Sequence, residues 1–360
     1  MPTSERTPAP FVFSTPNRSV IATGELTPVA ESEALARAQE VGTGVVGLIP
    51  FDPAREAYLY IPEHLEFGES LTGATAELAQ PAELERLDNP AYRAAVGAAV
   101  ARMNNGELDK VVLARLLRAR YETPLNLSQV LSNLLDQQPR AYVFSARLPG
   151  SDNYLMGASP ELVFRAEAGS FTTFPLAGTA NRAIAGDPTE DAQLGEELMR
   201  SAKDRAEHAT VVEDIRARLA PVAEELLVPA VPQLVATPQL WHLGTEITGR
   251  LAPGMSSLDG ARAIHPTPAI CGSPRETALR LIDELEDFDR GFFGGLVGWM
   301  DPQGNGEWAL VLRCAELSET SATLFAGAGI VKASQPEKEH AETGSKLGSF
   351  GRALGISTAS

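Results

Sequence analysis

The chain has 360 residues, a formal net charge of -17, 44% hydrophobic and 21% charged residues, and two cysteines. This is ordinary globular composition, long enough to bury one large core or two smaller ones. Its acidity excludes a nucleic-acid surface, because no basic stripe exists to replace phosphate counterions, and its apolar runs fall far short of the ~20 residues of a membrane span.

Cys271 and Cys314 cannot build a disulfide framework, and neither CxxC nor HExxH occurs, so a structural zinc site is not expected. The start, "MPTSERTPAPFVFSTPNRS", lacks the apolar stretch of a secretory signal. A reduced, cytoplasmic protein is the expectation. An anionic small molecule remains possible as ligand if it meets a local positive patch or brings a divalent cation to bridge acid to acid.

In chain order, residues 1–18 are Pro/Thr/Ser-rich and are expected to form a disordered tail. Residues 19–100 mix short strands with an Ala/Glu-rich stretch near 74–103 that is expected to be helical. "DKVVLARLLRARY" (109–121) is β-branched and apolar almost throughout, the pattern of a buried strand. "LSQVLSNLLDQQP" (127–139) has helical spacing and stops at Pro139. "AYVFSARL" predicts a strand, and "YLMGASPELVFRAE" a hairpin-like pair broken at Ser159-Pro160.

Residues 201–220 give the clearest helix, with Val211, Val212, Ile215 and Leu219 as its apolar stripe and Pro221 as its stop. A further helix is predicted at 274–288. "FFGGLVGWMD" and "EWALVLRCAEL" predict strands joined by the turn "PQGNG", and "ATLFAGAGIV" one more strand. The final helix contains "SQPEKEHAETGSKLG", where Glu339, Glu342 and Lys346 share one face and Leu347, Phe350 and Leu354 the other. Strands and helices alternate without regular βαβ repeats, which predicts an α+β fold with largely antiparallel sheets. No long linker divides 100–355, so a single domain over 19–356 is expected, with its core at about 100–355.

Several charges fall where apolar faces are predicted, and buried charges are costly unless paired. Arg313 lies inside "WALVLRCA" and reads equally as a structural ion pair or a bidentate carboxylate clamp. Lys110 opens "KVVLA": it is either an exposed strand-end lysine or a half-buried general base. Glu161 is a turn acid by position. Glu207 is in register with Val211 and Ile215, and a hard divalent cation would relieve its inward carboxylate. "FAGAGIV" lacks the third glycine of a dinucleotide loop, which leaves close backbone approach at Gly327 and Gly329, suited to a carboxylate. Taken alone, the acid–lysine face of the last helix is a solvated ion-pair face.

The ordered set "KVVLAR", "SPEL", "PLAGTANR", "KDRAEH", "LWHL", "HPTPAICGSP", "FDRGFFGGLVGW", "GNGEWALVLRCAEL", "LFAGAGIV" and "HAETGSKL" resembles the chorismate-utilising enzymes, over about Lys110 to Leu347. The resemblance implies two packed, largely antiparallel sheets surrounded by helices, as in anthranilate synthase component I. It implies that Glu207 and Glu342 bind Mg2+, with Glu339 holding it through water, and that the metal takes the ring carboxylate of chorismate. It assigns Arg313, the Gly327 backbone and Lys346 to the enolpyruvyl carboxylate. Gly178 and Thr179 also contact the substrate, and His242 lies near the ring.

Members that use water carry a lysine matching Lys110 as base toward C2, and an acid matching Glu161 for the departing C4 hydroxyl. Ammonia-using members typically lack that lysine and need a glutaminase partner; none is expected here. Lyase members usually carry threonine where this chain has Ala269, so the reaction is expected to stop at isochorismate. "HPTPAICGSPRETA" and "LWHL" point to the siderophore branch (2,3-dihydroxybenzoate or salicylate precursor). The alternatives are a salicylate synthase, a menaquinone-pathway isochorismate synthase, and an inactive chorismate-binding protein. A monomer is expected, with chorismate as its ligand and no nucleic-acid or membrane partner.

Overall fold

The computed structural model describes residues 6–182, 187–236 and 240–356. The chain opens with β1 (Phe11–Ser14), β2 (Ser19–Val29), α1 (Ala34–Val41), β3 (Val45–Ile49), β4 (Tyr58–Gly68), β5 (Glu83–Glu85), α2 (Pro90–Asn104), β6 (Lys110–Arg120), α3 (Leu127–Gln137), β7 (Tyr142–Arg147) and β8 (Tyr154–Ser159). There follow β9 (Leu162–Glu167), β10 (Ser170–Thr173), β11 (Leu176–Asn181), α4 (Pro188–Arg200), α5 (Ala202–Leu219), β12 (Ala223–Leu227), β13 (Gln233–Ala236), β14 (Leu240–Gly244), β15 (Ile247–Leu251) and α6 (Ser257–Ile264). The last elements are β16 (Gly272–Ser273), α7 (Arg275–Leu285), β17 (Leu296–Met300), β18 (Gly306–Leu310), β19 (Cys314–Leu317), β20 (Ser321–Ile330) and α8 (Pro336–Gly351).

Where a single domain is expected, the described chain divides into two compact units. One holds the described residues of 1–161, 270–302 and 309–360; the other holds those of 162–269 and 303–308. In the first, antiparallel ladders run β17–β3–β4–β2–β1–β7–β8–β19–β20–β6, and β6 also pairs with β5 and β16. In the second, β9–β10–β15–β12 form one antiparallel set and β11–β14–β13 another. The α+β class with largely antiparallel sheets is thus the observed one.

Strand β6 shows why its sequence is apolar on both faces. Leu117 and Ala119 enter one core with α3 and the α8 residues Leu347 and Phe350, while Ala114 and Leu116 enter another with Phe144, Trp299 and Phe325. A strand with a core on either side is apolar on both faces, and Arg115 is its one fully buried charge.

Three expectations change. Residues 11–14 are no loose tail: Phe11, Val12 and Phe13 are buried, and β1 pairs with both β2 and β7. The apolar "FVF" outweighs the surrounding Pro and Thr. The stretch 74–103 is helical only as α2. Before that, the Ala74 amide donates to Ser132 Oγ and the Ala76 amide to Asn133 Oδ1, both on α3, so those backbone groups find partners without a helix. Strands β8 and β9 are no hairpin: β8 pairs with β7 and β19, and β9 with β10, in different units. No helix among the described residues is long and apolar enough to cross a membrane. Both cysteines are buried and free.

Candidate active site

The first unit gathers seven of the candidate residues. Lys110 is the first residue of β6, and Glu161 follows the break that ends β8. A short network fixes the Glu161 backbone: its amide donates to Ser159 Oγ at 3.3 Å, and its carbonyl accepts from the Leu310 amide at 3.1 Å. Burial pushes the Glu161 carboxyl up to about 7, and the nearby Lys110 charge pulls the other way. Such an acid is still partly protonated at neutral pH, so it can donate a proton there.

The remaining five lie around β20 and α8. The β19 ladder on β20 ends at Cys314 opposite Phe325, while β6 stays paired as far as Ile330. Beyond that point Lys346 of α8 reaches the strand: its Nζ donates to the Gly327 carbonyl at 2.9 Å and to Glu342 Oε1 at 2.6 Å. Burial lowers the Lys346 pKa, while Glu342 opposes that effect. Arg313 is also lowered by burial and held up by Glu342, which brings both cations to one carboxylate.

The expected strand "EWALVLRCAEL" is broken between β18 and β19, and Arg313 in the break has φ +47°. A non-glycine residue there is strained, and such strain tends to cluster at functional sites. One turn from Glu342, burial raises the Glu339 carboxyl, and Glu342 adds to that. A carboxyl that burial raises, beside a second carboxylate one turn away, suits a hard cation, whose charge would remove the penalty. Among the described residues, no group of three or more His, Cys, Asp and Glu side chains is gathered as a metal site.

The second unit carries the other five. Gly178 forms a bulge in β11 at φ +77°, where a Cβ would stand 3.3 Å from both Asp204 Cβ and Leu243 Cδ1. A glycine thus lets β11 pack closely on α5, the helix that carries half-buried Glu207. His208 is buried beside it, and its Nε2 lies 2.7 Å from Thr245 Oγ1, which ties α5 to the end of β14. His242 on β14 stands opposite Thr179 on β11, and the Thr179 side chain lies outside the described residues. Ala269 is half-buried at the end of this unit. A cavity of about 800 Å3 in the same unit, between Arg205 and Ala209 of α5 and the segment around Leu227, contains none of the candidate residues.

Sequence reasoning missed two buried supports in the first unit. Arg115, only 2% exposed, donates from Nε to Thr343 Oγ1 at 2.8 Å and from Nη1 to the Leu87 carbonyl at 3.0 Å, tying β6 to α8. Its signal was a charge in mid-strand, the feature that marked Arg313. Glu286 and Arg290 form an ion pair with both side chains 3% exposed. Glu286 Oε1 accepts from the Ala114 amide at 2.7 Å, and Arg290 Nη2 donates to the Val112 carbonyl at 2.7 Å. These bonds occupy the edge of β6 between its ladders to β16 (110–111) and β5 (118–120). An acceptor-only carboxylate meets an N–H and a donor-only guanidinium meets a C=O, so two side chains stand in for a missing strand.

A family model described as chorismate binding enzyme matches residues 61–355. The isochorismate synthase DhbC of Bacillus subtilis (strain 168) is 37% identical over 380 residues, covering 98% of this chain and 95% of that protein. The isochorismate synthase EntC of Escherichia coli (strain K12) is 40% identical over 330 residues, covering 89% and 84%. A crystal structure assigned as the 2,3-dihydroxybenzoate-specific isochorismate synthase DhbC of Bacillus anthracis is similar with a TM-score of 0.85 at 36% identity, over 99% of this chain and 98% of that one. The model spans most of the sequence and the relatives nearly all of it, so the chain belongs to the chorismate-binding enzyme family.

Proposed function

We infer that the protein is an isochorismate synthase: it adds water at C2 of chorismate and expels the C4 hydroxyl. The observation that carries the chemical assignment is Glu161, a carboxyl held at about 7 by burial within reach of the Lys110 charge. Water is a poor nucleophile without a base, and hydroxide a poor leaving group without an acid. Lys110, as its neutral amine, takes the proton from the attacking water, and Glu161 gives its proton to the departing oxygen. Arg313, Lys346 and the Gly327 backbone hold the enolpyruvyl carboxylate, while Gly178, Thr179 and His242 line the substrate.

Glu207 and Glu342 would hold Mg2+, with Glu339 acting through water, and the raised Glu339 carboxyl suits that role. When bound, the ion neutralises the ring carboxylate and stabilises charge in the transition state. Ala269 offers no hydroxyl to assist pyruvate loss, so the product stays isochorismate. The names of the relatives support the 2,3-dihydroxybenzoate (siderophore) branch. The protein works in the cytoplasm as a monomer, without a glutaminase subunit.

The test is chromatography of products from chorismate plus Mg2+, alongside a lactate dehydrogenase assay for pyruvate. Isochorismate without stoichiometric pyruvate is expected. Sustained pyruvate would make the enzyme a salicylate synthase, and unchanged chorismate would make it a binding protein.

A further inference from the structure

Gly329 lies near the end of β20, directly opposite Val112 of β6 and diagonal to Lys110. Glycine weakens a strand interior, so its presence there needs a cause. Two ordinary causes are absent. Gly329 is not among the residues with positive φ, so an alanine could adopt its backbone. No backbone crowds it either: a Cβ built at 329 would meet only Lys110, at 3.1 Å from Cε and 3.8 Å from Nζ. Other glycines of the same unit behave differently, since a Cβ at Gly327 would meet the Leu113 carbonyl at 3.2 Å and one at Gly295 the Ile49 carbonyl at 2.1 Å.

We propose that Gly329 is a positioning residue for Lys110: its bare Cα is the shelf across which the lysine side chain lies, and any side chain there displaces the amine. The cause is steric. A contact of 3.1 Å is tighter than two carbons normally keep, so the lysine, as the flexible partner, yields by a few tenths of an ångström to an alanine and further to a valine. Val112, two residues on from Lys110, lies on the same face of β6 and directly opposite Gly329. An amine serving as a base tolerates little displacement, because a shift of ~1 Å can cost about a hundredfold in rate.

This rests on Lys110 acting as the base, and the experiment separates the two ideas. Gly329→Ala and Gly329→Val are made in the natural sequence and again in Lys110→Ala. In the natural background kcat should fall by about tenfold and about a hundredfold respectively, with KM for chorismate nearly constant. In the Lys110→Ala background neither change should lower kcat further, since the side chain being positioned is gone. Equal losses in both backgrounds, or unchanged kcat for Gly329→Val, would overturn the proposal. Normal turnover by Lys110→Ala itself would instead remove the base assignment. Labelling of Lys110 by trinitrobenzenesulfonate, read by peptide mass mapping, reports its position independently of catalysis. Gly329→Val should change that rate several-fold, and an unchanged rate refutes the positioning whatever the kinetics.

Discussion

Two regions of the first unit use the same residue types for different ends. Around α8, Lys346 and Glu342 are locked together at 2.6 Å, and Arg313 adds a second cation to the same carboxylate. At the start of β6, Lys110 and Glu161 influence each other, yet burial dominates and Glu161 keeps its proton to about pH 7. A direct pair fixes charge and suits holding an anion. A buried acid beside a lysine leaves its proton available to move. What a lysine and a glutamate can do therefore depends on whether their partner or their burial governs them.

The comparison breaks most sharply at Lys110. Lys110→Ala should lower kcat by roughly two to four powers of ten, measured as isochorismate formed under saturating chorismate and Mg2+. Near-normal turnover would place Lys110 in the same class as Lys346. Glu161→Gln should cost about two to three powers of ten in kcat with KM little changed, and natural-enzyme kcat should decline above about pH 7 as Glu161 ionises.

The same carboxyl makes a prediction for stability. Its pKa is raised from 4.5 to about 7 on folding, so its favourable contribution is complete below 4.5 and is lost as pH rises through 7. That span corresponds to about 3 kcal/mol. Glu161→Gln should therefore gain thermal stability over the natural chain at pH 8.5 but not at pH 4, and equal gains at both would mean that the carboxyl is not held protonated.

At the α8 end the expected effect is smaller and of another kind. Lys346→Gln removes one charge-assisted contact, so KM for chorismate should rise about 10- to 100-fold with kcat within a few-fold. A kcat collapse at constant KM would erase the distinction between the regions. Smallest of all, Ala269→Thr should add a trace of pyruvate release in the coupled assay, and none would mean that this position does not set the product.

Much of this was legible in residue order. The helix from 201 was visible through its repeating apolar stripe, and the strand from 109 through a long, β-branched apolar run. Lys110 and Arg313 stood out as charges where apolar residues belonged, whereas Glu161 read as a turn acid and Lys346 as part of a solvated ion-pair face; the first unit places them at β6, between β18 and β19, after β8 and on α8. The misses share a cause. The segment at 74–76 looks helical by composition, but its amides are taken by Ser132 and Asn133. Glu286 and Arg290, at helical spacing, resemble a surface pair and are in fact buried against Val112 and Ala114. In each case the deciding partner lies far along the chain, and local pattern carries no trace of it.

Strand β6 also imposes a timetable on synthesis. Apart from the short ladder to β5, its partners come late: β16 begins at Gly272 and β20 at Ser321, about 200 residues after Arg120. At ribosomal speeds of 5–20 residues per second, the strand bearing the proposed base spends about 10–40 s without its main neighbour. A nascent chain with so apolar a segment waiting for closure is an obvious client for chaperones, and expression should suffer first from mutations that prolong that wait.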